Sequence, residues 1–159
     1  MKKYTVILLL VLLFSCGYRH PEKFHIDAVT NASRHNTLGA EYLNERCYYA
    51  AIQEFKIAIS LNPNTQASSV YYNNLGETYM KVGFPKLAED CFDRAIKLHG
   101  LNFKYYQNMA ACYKRTRQTN KMIARYRASN KPLDKVMLGL LYIENNDKRR
   151  GIMTLDDFC

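Results

Sequence analysis

Five cysteines, four histidines and two adjacent carboxylate pairs are the residues with which this 159-residue chain could do chemistry. Their spacing decides how much of it is open to them. His20, His25, His35 and His99 stand singly and away from Cys47, Cys91, Cys112 and Cys159. None recurs at the short intervals with which a metal site gathers its ligands, so neither metal nor cofactor is expected. Glu89-Asp90 and Asp156-Asp157 fall on the polar sides of helical patterns, where solvation accounts for them better than acid/base catalysis. A Gly-rich phosphate loop, a nucleophile elbow and a His-Glu-x-x-His motif are absent from the sequence. The chain therefore reads as no enzyme, with no catalytic residue and no small-molecule substrate.

The fifth cysteine stands in a different setting. Met1-Lys2-Lys3 is a short cationic start, and Val6 to Phe14 is an apolar run of nine residues, too short to span a bilayer but suited to a secretory signal. Ordinary signal cleavage wants small residues one and three places before the cut, and Leu13 disfavours a cut before Cys16 by that rule. A cut after Gly17, with Ser15 three places back, stays open. Leu13-Phe14-Ser15-Cys16 resembles the bacterial lipobox. That resemblance implies a signal peptide over 1–15, an acylated (palmitate-type) Cys16 as the first mature residue, and a membrane lipoprotein of the cell envelope. Gly17, in place of an aspartate, looks like an outer-membrane destination facing the periplasm. Residues 16–31, CGYRHPEKFHIDAVTN, show no apolar stripe and read as a tether. An even set of four further cysteines permits disulfides outside the cytosol, although Cys91 and Cys112 lie on apolar helix sides that suit buried thiols.

The elements that must carry any site are helical. In the stretch 69–102, Tyr72, Leu75, Gly76 and Tyr79 recur at three- and four-residue steps. Gly83 and Pro85 then supply a helix stop and a helix start. Leu87, Ala88, Cys91, Phe92, Ala95, Ile96 and Leu98 form the apolar or small side of a second helix. Such a hairpin cannot bury its own stripe, and copies of it are present. Leu38, Gly39, Tyr42, Ala51, Phe55 and Ala58 repeat the pattern 37 residues earlier. Met109, Ala110 and Tyr113 repeat part of it 34 residues later, and Leu138, Gly139 and Tyr142 a further 29 residues on.

This pattern of Leu-Gly, Tyr, Ala, Phe and Ala resembles the tetratricopeptide repeat, a helix-turn-helix unit. The resemblance implies an all-α solenoid of about four hairpins over 32–159, with repeats near 32–65, 69–102, 103–131 and 132–159. Helices are predicted at 35–46, 48–61, 69–82, 85–99, 103–116, 119–130, 133–145 and 147–157. Repeat three is the irregular one, five residues short, with Met122 and Ser129 where alanines are usual.

The same resemblance assigns the first helices to a concave groove for a peptide or protein partner. Its partner-binding residues would be Asn36, Asn73, Asn74, Lys104, Gln107, Asn108, Lys114, Arg115 and Leu140. Thr37, Ala40, Glu77, Lys81 and Ala111 lie beside them, and Leu133, Val136, Met137, Leu140 and Ile143 would form an apolar end. Asn74 and Lys104 match the carboxylate clamp of chaperone-binding relatives, but Asn36, Ala40 and Asn108 replace its other members. Amides can hold a peptide backbone, and the basic residues would favour acidic ligands. Between Lys104 and Arg150 twelve basic residues face three acidic ones. In an exported protein that surplus points away from nucleic acid and toward acidic protein or anionic lipid. The expected function is a lipid-anchored interaction module for an envelope protein or peptide, with repeat-type pilotins of type IV pili, which help a secretin assemble, as the nearest architecture. The alternative is an adaptor for a peptidoglycan hydrolase, or the hydrolase itself.

Overall fold

The computed structural model describes residues 27–157. The signal, Cys16, most of the tether and Cys159 lie outside them. Among the described residues there are eight helices and no strand: α1 (Ala28–Asn44), α2 (Tyr48–Leu61), α3 (Gln66–Val82), α4 (Pro85–Leu98), α5 (Phe103–Arg115), α6 (Thr119–Arg127), α7 (Pro132–Glu144) and α8 (Lys148–Asp156).

One turn, made four times, folds them into hairpins. Arg46, Gly83, Arg117 and Asn146 hold the same place between paired helices, and all are left-handed, with φ of 63°, 88°, 58° and 65°. The next amide then donates back to a tyrosine carbonyl near the end of the first helix. Cys47 reaches Tyr42 at 2.8 Å, Phe84 reaches Tyr79 at 2.9 Å, Gln118 reaches Tyr113 at 2.8 Å and Asp147 reaches Tyr142 at 2.9 Å. This six-to-one closure satisfies carbonyls that a helix end leaves unpaired. Only Gly83 adopts it without steric cost. A nearby polar side chain starts several helices. Asp27 accepts from the Val29 amide, Thr65 and Ser68 form a reciprocal box on α3, Asn102 caps α5 and Asp147 caps α8.

The cap at Asp27 moves the first boundary. α1 begins at Ala28, seven residues before the predicted position 35 and inside the stretch read as tether. Ala32 is fully buried there with Ala58 and Tyr71. The flanking Thr30, Asn31 and Ser33 are polar and hid the helical period. At the other irregular place, α6 ends at Arg127, three residues short of the predicted 130.

Glycine and phenylalanine set how closely each hairpin closes. A Cβ on Gly39 would stand 2.7 Å from the Phe55 ring, and one on Gly76 would stand 2.6 Å from the Phe92 ring. Gly139 takes Leu155 in the same way, at 2.7 Å. The third hairpin has Ala110 instead, and its partner Tyr126 is only half-buried. The extra methyl holds α6 away from α5. Accordingly α6 rests mainly on α7, and α5 packs directly on α7, far more than α1 does on α3 or α3 on α5.

Candidate peptide-binding groove

The inner faces of α1, α3 and α5 are joined by a ladder of polar side chains. Asn74 Nδ2 donates to Asn36 Oδ1 at 3.0 Å, linking α3 to α1. Asn108 Nδ2 donates to Asn73 Oδ1 and to Glu77 Oε1, both at 2.8 Å, linking α5 to α3. Asn73 Nδ2 gives its own bond to Glu77 Oε1 at 2.9 Å, and Lys104 Nζ lies 2.9 Å from that same oxygen. Burial pushes the Glu77 carboxyl up, but the bonds from Lys104, Asn73 and Asn108 and the Lys104 charge outweigh it, so the group titrates below its ordinary value. It is an anion at neutral pH, and an anion can only accept.

Four of the expected binding residues, Asn36, Asn73, Asn74 and Asn108, thus spend much of their hydrogen-bonding capacity on one another. Asn73 is buried and has both amide atoms engaged. Sequence reasoning placed Glu77 on the inner face but gave it no part in binding. Its four-residue step from Asn73 was the available signal.

The basic members are engaged as well. Lys114 Nζ pairs with Glu144 at 3.1 Å, and Arg115 donates to the Met80 carbonyl at 2.7 Å. Gln107 is exposed. The apolar end departs from expectation: Leu140 is 6% exposed, Met137 1% and Val136 5%, all within the main core. Close packing of α5 on α7 covers them, so Leu140 does not line an open groove. A cleft of about 270 Å³ opens one step earlier, between α3 and α5, over Met80, Phe92 and Ala111, with Glu77, Lys81, Lys104 and Asn108 around it.

Outside the groove, Arg127 donates to the Tyr142 hydroxyl at 2.8 and 3.2 Å, and Arg150 lies 5.3 Å from the centre of that ring. The cysteines Cys47, Cys91 and Cys112 are free thiols. No group of three His, Cys, Asp or Glu residues among the described residues could hold a metal ion.

The fold these hairpins build is an all-α tetratricopeptide-repeat solenoid. Residues 70–98 match the tetratricopeptide repeat family model. Comparison with curated protein sequences gives no match. Among solved structures the chain is similar to MamA, with a TM-score of 0.57 and 19% identity over 80% of this chain and 76% of that one. It is similar to pilF of Pseudomonas aeruginosa, with a TM-score of 0.58 and 17% identity over 80% of this chain and 59% of the other. It is also similar to YrrB, described as a TPR protein with an unusual peptide-binding site, with a TM-score of 0.52 and 17% identity over 80% and 66% of the two chains.

Proposed function

We propose that this protein is a lipid-anchored module of the bacterial cell envelope that holds a peptide segment of a partner protein on the inner face of α3 and α5. The observation that carries the reading is the cleft over Met80, Phe92 and Ala111, where apolar floor and fixed polar rim meet at the centre of the concave side. Acylation at Cys16, and an outer-membrane position facing the periplasm, are part of the proposal and rest on the sequence alone. Joined to the repeat architecture they favour a pilotin-like assembly role, in which a membrane-held solenoid escorts an envelope component. The likeness to pilF supports the fold part of that reading.

Two measurements test it. Intact mass of the protein made in a bacterium should show an acylated N-terminal cysteine that Cys16→Ser abolishes; an unchanged mass addition in the variant rules out the anchor. A photo-crosslinking residue at Ala111 should capture an envelope protein that the same residue at Lys86, exposed at the start of outer helix α4, does not. Equal capture from both positions would remove the groove from the proposal.

A further inference from the structure

We infer that the central cleft selects a peptide bearing an uncharged N–H donor, an Asn or Gln carboxamide, beside an apolar side chain, and that Glu77 sets this choice. The inference rests on the groove reading above and names the ligand chemistry of that same cleft.

The argument follows the hydrogen-bonding capacity left over once the ladder is formed. An ionised Glu77 has no proton to give, so both neighbouring amides must turn nitrogen toward it, and the observed bonds from Asn73 and Asn108 do so. That fixes the orientation of each amide. Asn108 commits its Nδ2 to two acceptors and leaves Oδ1 with no bond among the described residues. Asn74 gives its Nδ2 to Asn36 and likewise leaves Oδ1. All three donors on Glu77 converge on Oε1, so Oε2 is left as well. Beside the ammonium donors of Lys81 and Lys104, the cleft thus keeps two acceptor oxygens for a ligand, on Glu77 and Asn108.

Charge decides what kind of donor can use them. Glu77 is already matched by Lys104, and Lys81 stands exposed at the cleft with no ion pair among the described residues. A ligand ammonium or guanidinium would meet a rim that is net positive. A ligand carboxylate placed on the acceptors would face two oxygens, one of them anionic. A neutral carboxamide meets neither penalty, since its N–H matches the acceptors and its carbonyl the free Lys81 ammonium. Met80, Phe92 and Ala111 below the acceptors offer the adjacent side chain an apolar floor. Acidic ligands, which the basic content of the chain suggests, are therefore expected to meet Lys81 at the rim and not the acceptor oxygens. An acceptor set that a bound peptide would bury rejects an analogue lacking the donor more strongly than an apolar pocket rejects a changed methylene.

The test is selection of a random peptide library on the mature chain, on Glu77→Gln and on Ala111→Trp, which fills the cleft. Wild-type protein should enrich peptides with Asn or Gln next to Leu, Ile, Met or Phe. Ala111→Trp should lose these peptides, and Glu77→Gln should bind them at least about tenfold more weakly. Glu77→Gln also frees Lys104, so selection on that variant should shift toward Asp or Glu. Circular dichroism showing unchanged helix content in both variants excludes unfolding as the cause. If no peptide is lost on Ala111→Trp, the groove reading falls and the inference falls with it. If peptides are lost on Ala111→Trp but carry acidic residues in place of amides, or bind Glu77→Gln undiminished, the groove stands and this inference is overturned.

Discussion

Three donors fall on one oxygen of Glu77, and the thermodynamic consequence is a pH dependence with a definite sign. A carboxyl whose folded value is depressed contributes stability that is complete above its unfolded value, 4.5, and is lost as pH falls through the lower folded value. The stability difference between wild type and Glu77→Gln should therefore be constant from neutrality down to about pH 5 and shrink below it. Urea midpoints measured across pH 3–7 check this. A difference that grows on acidification would contradict the assignment. The thiols give the opposite sign. Burial pushes Cys91 up to about 12 and Cys112 up to about 11 from 9.0, so their contribution is complete below pH 9 and disappears as pH rises through those values. Cys91→Ala should flatten the alkaline fall in the urea midpoint. Burial also shields both thiols from reagents, so of the three cysteines among the described residues Cys47 alone should react with maleimide in the native protein.

At the scale of single helices, turn and crossing can be perturbed separately. Nothing lies within 4 Å of a Cβ built on Gly83, so Gly83→Ala is penalised by its φ of 88° alone, about 1–2 kcal/mol. Arg117→Gly at the equivalent turn should stabilise, by less than about 1 kcal/mol because the unfolded chain also gains freedom. Gly76→Ala differs in kind, since its methyl would stand 2.6 Å from the Phe92 ring. Overpacking there should cost about 1–3 kcal/mol, and the fully buried Ala58→Leu and Ala95→Leu should cost a similar amount. Denaturant titrations rank all of these. The second hairpin was legible in the sequence because Gly83 and Pro85 mark its turn and the Leu75-Gly76-Tyr79 stripe is unbroken. The left-handed conformation of Arg46 and Arg117 was not, because no glycine announces it, although the repeat spacing put both turns within two residues of their place. The start of α1 was hidden for a related reason: a capping aspartate and polar first turn carry no periodicity. In the groove, the pattern put the asparagines of neighbouring first helices at facing positions but could not say that they bond to each other. That depends on the distance between neighbouring first helices. Leu140 was misplaced because the shortened third repeat changes that distance.

In the whole molecule, packing between neighbours is uneven, and stability in such stacks is close to a sum over neighbouring interfaces. The first, second and fourth hairpins close tightly within themselves, while α6 touches α5 little and depends on α7. Native-state hydrogen exchange should therefore show α6 opening at lower free energy than α2 or α4. Equal protection across the three helices would contradict this unevenness.

The direct bearing of α5 on α7 has a mechanical side. A pull applied across the stack is transmitted from α5 to α7 without passing through α6, so α6 lies off the load path. The other outer helices are struts; α6 is slack held in reserve. A tug on a ligand seated between α3 and α5 would be carried onward to the last hairpin by inner helices alone, and the chain could pay out the nine residues of α6 without parting the line that bears the strain.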